Sequence, residues 1–215
     1  VLFELNCNYN QLTNLDVSGC AVLFELNCNY NQLTNLDVSQ NTGLTFLGCG
    51  YNQLTSLDVS QNTALNSLYC GYNQLTSLDV SQNTALTYLN CGGNQLTSLD
   101  VSQNTALTSL GCGNNLLTSL DFTTNNNLGM LNCSSNQLTC LNLNSLINFS
   151  QFDASNNPAL TCIEVEDPTL ATQNLSNIDP GTSFSNNCNY PAGCGGGSYT
   201  LILDQNFEQA LIDLG

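Results

Sequence analysis

The chain of 215 residues contains no lysine, arginine or histidine, and its 16 Asp and Glu residues give a formal net charge of −16. Contacts to a phosphate backbone are made chiefly by Lys and Arg, so nucleic acid is strongly disfavoured as a partner. An anionic membrane surface is disfavoured for the same reason. Without His and Lys there can be no Ser-His-Asp triad, Cys-His pair or Schiff base, which leaves only carboxylate chemistry. The composition therefore predicts a noncatalytic protein.

Long hydrophobic runs are also missing, since no segment approaches the roughly 18 consecutive apolar residues of a membrane-spanning helix. What the chain does contain is a strict repeat. Cysteines recur every 21 residues, at Cys7, Cys28, Cys49, Cys70, Cys91, Cys112 and Cys133. A fixed period of this length is typical of a solenoid, in which each repeat buries its apolar edge only by stacking on the next.

Each 21-residue unit contains two copies of one shorter phrase, Leu-x-x-Leu-x-apolar-x-x-Asn. Leu65 to Asn73 is one copy, and Leu75 to Asn83 is the second. The alternation of inward Leu and Cys, or of inward Leu and Val, predicts a short strand in each half of the coil. The stacked coils would then form two parallel sheets. The Asn that ends each phrase is expected to satisfy backbone groups at the corners.

These phrases resemble leucine-rich repeats, specifically the doubly nested 21-residue kind found in secreted and cell-surface proteins of Bacteroidetes. The resemblance covers residues 2–163 and implies a mainly β solenoid of about seven to eight coils. It also implies a C-terminal cap at 164–190, with a disulfide between Cys162 and Cys188 that is consistent with secretion. Cys140 is an alternative partner for Cys162, because both stand in the same Leu-Thr-Cys motif of neighbouring coils. The pairing of Cys20, Cys140 and Cys194 stays open.

Residues 191–198 have the composition of a Gly-rich linker. Residues 199–215 have apolar side chains at helical spacing, which predicts a short amphipathic helix. By resemblance, this helix is the start of a following repeat module or a docking segment. Val1 stands in mid-repeat without a capping segment, so we expect further polypeptide before it.

The seven periodic cysteines take the inward position that Val59, Val80 and Val101 take in the other half of the coil. We therefore predict that they are buried free thiols. A second row of periodic residues points outward and consists of Asp16, Asp37, Asp58, Asp79, Asp100 and Asp121. Like charges about 4.8 Å apart repel one another. Hydrogen bonds from flanking serines, partial protonation or bound calcium ions would each relieve this repulsion. No other cofactor is predicted.

The outward positions of the other half-coil differ from repeat to repeat. A scaffold that varies one face while keeping the other constant is suited to recognition, and exposed Tyr is a frequent contact residue. The candidate ligand-binding residues are Tyr9, Tyr30, Phe46, Tyr51, Tyr69, Tyr72 and Tyr88. The same rings could instead serve only to stabilise coil against coil.

Two functions remain open on these grounds. The first is an extracellular recognition or adhesion scaffold of a bacterial surface or secreted protein, with a protein or glycan as partner. The second is a structural protomer of an extracellular filament, in which copies of the chain contact one another head to tail. Neither function involves catalysis or membrane insertion.

Overall fold

The structure of the protein is a computed structural model that describes residues 1–144, 146, 149–188 and 190. Its main element is a parallel sheet with one three-residue strand per coil, in chain order. The strands are β1 (Glu4–Asn6), β2 (Glu25–Asn27), β3 (Phe46–Gly48), β4 (Ser67–Tyr69), β5 (Tyr88–Asn90), β6 (Ser109–Gly111), β7 (Met130–Asn132) and β8 (Gln151–Asp153). Each strand pairs with the next in a register of 21 residues, as in Glu4 opposite Glu25. The predicted solenoid is therefore confirmed.

The core is a continuous column of apolar side chains between the two halves of each coil. In the fourth coil Leu65, Leu68, Cys70, Leu75 and Val80 are all fully buried. The cysteines at Cys28, Cys49, Cys70, Cys91, Cys112 and Cys133 are buried free thiols, and Cys7 is half-buried at the end of the solenoid. The inward position predicted for this series is confirmed.

Among the described residues, the second predicted sheet forms only at the C-terminal end of the solenoid. In the described chain, the Asp-bearing half of the first six coils contains no strand, and a turn follows each aspartate. There the Val80 carbonyl accepts the N–H of Asn83 at 3.0 Å and the side-chain amide of Asn104 at 3.0 Å. Because the turn and the asparagine side chain both donate to the Val80 carbonyl, this carbonyl does not accept a hydrogen bond from a neighbouring strand.

A second sheet does form at the C-terminal end. Asn142 makes an isolated parallel bridge to Glu164 in β9 (Cys162–Glu164), and β9 pairs with β10 (Ser183–Ser185). Between β9 and β10 lies α1 (Pro168–Asn174), a helix that the sequence analysis did not predict within the cap. The Asp167 carboxylate begins this helix by accepting the N–H groups of Thr169 and Leu170.

The disulfide between Cys162 and Cys188 is present, with a Cα–Cα distance of 5.9 Å, which confirms the pairing implied by the resemblance. The alternative bridge between Cys140 and Cys162 is thereby wrong, although Cys140 is itself disulfide-bonded. The linker and the terminal helix predicted at 191–215 lie outside the described residues. Within those residues no helix is long and apolar enough to cross a membrane.

Candidate functional site

The outward face of the eight-stranded sheet carries three rows of side chains, each running across the coils. The first residues of the strands form the first row, and the last residues form the second row. The third row lies in the turn that follows each strand, three residues after the second row. It consists of Tyr9, Tyr30, Tyr51, Tyr72, Gly93, Asn114, Ser135 and Asn156.

Every residue of the third row has a left-handed backbone, with φ between 54° and 68°. Gly and Asn adopt this conformation readily, but other L-residues do so at a cost of about 1–2 kcal/mol. The first four coils nevertheless place Tyr there. Gly or Asn would adopt this turn at a lower conformational cost than Tyr, so the turn alone does not explain the tyrosines.

The four tyrosines stack on one another, and we call them the tyrosine column. The ring centroids of Tyr9, Tyr30, Tyr51 and Tyr72 are 4.3, 4.1 and 4.3 Å apart in turn, with interplanar angles of 10–13°. An aromatic pair contributes about 0.5–1.5 kcal/mol beyond area burial, which offsets much of the backbone cost. The side chains still expose 38–70% of their surface. The column is therefore both a stabilising ladder and an accessible aromatic strip.

Desolvation, followed by the hydroxyls of Tyr30 and Tyr72, raises the pKa of Tyr51 to about 12. The hydroxyl of Tyr30 likewise raises the pKa of Tyr9. Both phenols remain neutral at physiological pH, so they act as hydroxyl donors and acceptors rather than as charges. At the end of the column, the Tyr72 ring lies over Gly93, where a Cβ atom would come within 2.8 Å of it.

A second aromatic group lies beside the column on the strands themselves. Tyr69 stacks on Tyr88 with centroids 4.4 Å apart, and Phe46 packs against Tyr69 at 5.5 Å. Tyr69 belongs to the second row, whereas Phe46 and Tyr88 belong to the first. This group therefore alternates between the first and second rows from β3 to β5.

Tyr88 also forms one end of a groove with a volume of about 570 Å³. The floor of the groove is made by the first two rows of β5 to β8, including Asn90, Ser109 and Asn132. Its far wall is the segment that follows α1, from Asn174 to Asn177. The N–H of Ala154 donates to the Asn177 carbonyl at 2.9 Å, which fixes this wall against the last coil of the sheet.

The aspartate row on the other half of the coil is exposed and already supplied with donors. Asp58 accepts the N–H of Ser60 at 2.9 Å, and Asp79 accepts the N–H of Ser81 at 2.8 Å. These hydrogen bonds lower the pKa of both carboxyl groups, although neighbouring carboxylates raise that of Asp58. Serines therefore relieve the predicted repulsion, and partial protonation at neutral pH is contradicted by the direction of these shifts.

Comparisons with known proteins agree with this geometry. A family model described as "Leucine Rich repeats (2 copies)" matches residues 63–104. The solved functional domain of InlJ from Listeria monocytogenes, described as including a cysteine ladder, is 41% identical to this chain. The match covers 86% of this chain and 44% of that one, with a TM-score of 0.74. The chain is a leucine-rich-repeat protein.

Two more distant structures show the same leucine-rich-repeat fold. LIC12759 from Leptospira interrogans is 23% identical to this chain. The match covers 85% of this chain and 54% of that one, with a TM-score of 0.68. The ectodomain of the plant receptor kinase GASSHO1/SCHENGEN3 from Arabidopsis thaliana is 20% identical to this chain. The match covers 87% of this chain and 30% of that one, with a TM-score of 0.66. The chain thus spans from about a third to about half of these structures. A search of curated proteins finds no match.

The structure brings the predicted aromatic residues of this leucine-rich-repeat protein together on one face. Their role in binding stays a prediction, as does the Bacteroidetes origin. The six aspartates form a single row, but no group of three or more His, Cys, Asp or Glu side chains that could hold a metal is present among the described residues. Calcium binding along the row likewise stays a prediction.

Sequence reasoning missed the groove. Its wall comes from the cap, whose position against the sheet depends on contacts that have no period in the sequence. The Asp167-Pro168 pair was a usable signal for the start of α1, since Asp is a frequent N-cap residue and Pro is favoured in the first turn. Nothing in the sequence of Asn174 to Asn177 indicates that this segment lines a groove together with Met130 and Asp153 of the sheet.

Proposed function

We propose that this leucine-rich-repeat protein is a noncatalytic recognition scaffold that binds a protein partner through the aromatic N-terminal half of its sheet face. The observation that carries the proposal is the tyrosine column in a left-handed turn. Asn114 and Ser135 occupy the same turn in later coils with the same backbone. Strained backbone conformations cluster at functional sites, and Tyr is enriched among the residues that dominate protein contacts.

Charge defines the kind of partner. The chain has no cation to offset its net charge of −16, and Glu4 and Glu25 lie side by side on the same face as the column. A partner with a basic surface would be attracted, and acidic partners would be repelled. The complex should therefore form more slowly as salt concentration rises.

An extracellular location, on a bacterial surface or after secretion, is part of the proposal. The Cys162–Cys188 disulfide supports it, because such bonds persist in oxidising compartments. The similar structures include one described as a plant receptor ectodomain in complex with CASPARIAN STRIP INTEGRITY FACTOR 2. That description supports a binding role for this fold, while the partner of the present chain is a separate question.

The test uses an array of secreted and cell-surface ectodomains probed with the whole chain. The variant Tyr51→Ser/Tyr72→Ser removes the C-terminal half of the column, and Ser135 shows that Ser fits this turn. The matched control is Asp58→Asn/Asp79→Asn, which alters the opposite half of the same two coils. We expect ligands of the wild type to bind the tyrosine variant at least about tenfold more weakly and the control equally well. Ligands that bind both variants equally would contradict the proposal.

The filament alternative stays a prediction as well. Against it, the cap lies beyond β8, where Asn177 bonds the turn after that strand, so this end of the sheet is not free for a further coil. Negative-stain electron microscopy of the purified chain distinguishes the two functions. Isolated particles at high concentration would favour the scaffold, and fibres would favour the filament.

A further inference from the structure

We propose that the groove at the C-terminal half of the sheet face is a second binding site, and that its ligand is a short neutral oligosaccharide. The site is separate from the tyrosine column and extends from Tyr88 to the wall at Asn174 to Asn177. Its volume of about 570 Å³ lies within the range of small-molecule sites. It spans four strands, or roughly 14 Å at about 4.8 Å per strand. That length suits a di- or trisaccharide.

The polar groups of the groove are held by the turns beneath them. The Asn132 side-chain oxygen accepts the N–H of Ser134 at 3.0 Å and its hydroxyl at 2.8 Å. The Asn90 oxygen accepts the N–H of Gly92 at 3.2 Å. Neither amide nitrogen donates to another described residue, so each remains as a donor in a fixed position. Fixed donors bind with a smaller loss of side-chain entropy than mobile ones.

The same kind of hydrogen bonding to the following turn leaves a free acceptor at the end of the groove nearest the cap. Oδ1 of Asp153 accepts the N–H of Ser155 at 3.0 Å and its hydroxyl at 2.7 Å, which leaves Oδ2 for a ligand. The amide donors lie on β5 and β7 and the carboxylate acceptor lies on β8. Together they match the hydroxyls of successive sugar rings, each of which can donate one hydrogen bond and accept another. A ligand made of hydroxyl groups could therefore satisfy all three side chains at once.

Tyr88 supplies the apolar part of the site. Its ring is held by stacking on Tyr69 at 4.4 Å, and the residue also lines the groove. Aromatic side chains offer a large apolar surface at low entropic cost, and the C–H face of a sugar ring is a suitable partner. Met130 adds a second apolar surface on the floor.

Charge excludes the other small ligands that such a groove could hold. The lining contains no cation and one carboxylate, Asp153, in a chain of net charge −16. Phosphates, sulfated sugars and uronic acids would therefore be repelled. A basic peptide would find only this one carboxylate in the groove. A neutral polyhydroxyl ligand fits best.

The test titrates the whole chain with maltotriose, cellotriose, mannotriose and tri-N-acetylchitotriose, using saturation-transfer NMR and calorimetry. Trigalacturonate and a Lys-rich decapeptide are the acidic and basic comparisons. We expect at least one neutral trisaccharide to bind with a Kd below roughly 10 mM, and trigalacturonate not to bind. Failure of all four neutral sugars at that concentration would overturn the proposal. So would equal binding of trigalacturonate, or binding of the decapeptide in place of the sugars.

Variants locate the binding. Gly111→Tyr fills the groove with the side chain that Tyr69 carries at the equivalent register position two coils earlier, and a Cβ at Gly111 meets nothing closer than 3.4 Å. It should abolish binding of the trisaccharide. Asn132→Ala should weaken binding about three- to tenfold by removing one hydrogen bond. Its matched control is Asn27→Ala, which makes the equivalent change in the second coil outside the groove.

All three variants should keep the wild-type circular dichroism spectrum. Unchanged affinity in Gly111→Tyr, or equal losses in Asn132→Ala and Asn27→Ala, would overturn the assignment of the site. Because Tyr51→Ser/Tyr72→Ser leaves the groove intact, this result is independent of the test of the tyrosine column.

Discussion

The two halves of each coil begin from the same sequence phrase and reach different structures. In the strand half, Leu68 and Cys70 point inward and the backbone pairs with both neighbouring coils. In the aspartate half, Leu78 and Val80 are also buried, but their backbone is not part of a strand and a turn follows it. Apolar spacing therefore fixes which side chains are buried in both halves, and the hydrogen bonds at the corners decide which half becomes a sheet.

The corner asparagines show this difference directly. In the strand half, Asn94 accepts the N–H of Leu75 of the preceding coil at 3.0 Å and donates to the carbonyls of Cys70, Cys91 and Gly92. In the aspartate half, Asn104 donates to the carbonyls of Val80 and Asn83, and its side-chain oxygen is buried without a partner. Asn94 therefore connects two coils through both the oxygen and the nitrogen of its side-chain amide, whereas Asn104 connects them through the nitrogen alone.

The largest expected effect is a loss of stability at alkaline pH. It comes from the core residues that distinguish the two halves of the coil, which are Cys in the strand half and Val in the aspartate half. Burial raises the pKa of Cys28, Cys91 and Cys133 to about 12, and that of the other three buried thiols well above the ordinary value. An unfolded thiol ionises near pH 8.5, so above that pH the unfolded state loses protons that the folded state keeps. Stability is therefore complete below about pH 8.5 and falls as pH rises towards the folded pKa.

Each buried thiol contributes about 1.4 kcal/mol per pH unit in this window. Six of them would remove about 8 kcal/mol by pH 9.5, which is comparable to the whole stability of many domains. We expect cooperative unfolding, followed by circular dichroism, between about pH 9 and 10.5. Cys70→Val, Cys91→Val and Cys112→Val copy the other half of the coil and should each move the midpoint to higher pH. A midpoint unchanged in the triple variant would show that the thiols do not control alkaline stability.

The next effect tests the two corners. Asn94→Ala removes four hydrogen bonds and takes away the acceptor of the buried Leu75 N–H, whereas the three carbonyls each keep a second donor. We therefore expect a loss of about 3–4 kcal/mol in the free energy of unfolding. Asn104→Ala removes two hydrogen bonds and also an unpartnered oxygen, so we expect a loss of about 1–2 kcal/mol. Urea unfolding of the two variants measures the difference. Equal losses would mean that the two corners are energetically equivalent and that another factor determines where the sheet forms.

Much of this could be predicted from the sequence because it is periodic. The spacing of Leu68 and Cys70 predicted the buried column, and the 21-residue shift predicted the register of Glu4 with Glu25. The absence of a sheet in the aspartate half could not be predicted, because the phrase around Asn83 is the same as the phrase around Asn73. Their different hydrogen-bond partners come from the path of the chain between coils.

The site was predicted to a similar extent. The tyrosines were placed correctly on the variable face, because a residue at a fixed repeat position stays on that face in every coil. Their left-handed backbone was not predicted, since four tyrosines argue against such a turn and only Gly93, Asn114 and Asn156 in the same row suggest it. The groove was missed because its far wall is made by a cap segment that occurs once in the chain.

The smallest effect concerns the outward side chains of the aspartate half, where the comparison predicts little dependence on pH or calcium. Hydrogen bonds from the following serines lower the pKa of Asp16, Asp37, Asp58, Asp79 and Asp100. Their contribution to stability is present above the unfolded pKa of about 3.9 and is lost as pH falls through the lower folded pKa. The carboxylates are exposed, so acidification to about pH 3 should lower Tm by only a few degrees.

Calcium competes for the same oxygens. One oxygen of each carboxylate is already engaged, as between Asp79 and Ser81 at 2.8 Å, and calcium requires about six to eight oxygen ligands. We therefore expect 5 mM calcium and excess chelator to give melting temperatures within roughly 2 °C of each other. A rise of more than about 5 °C that disappears in Asp58→Asn/Asp79→Asn would show that the row holds calcium. In that case the aspartate half of the coil would be a binding surface as well, and the functional distinction between the two halves would not hold.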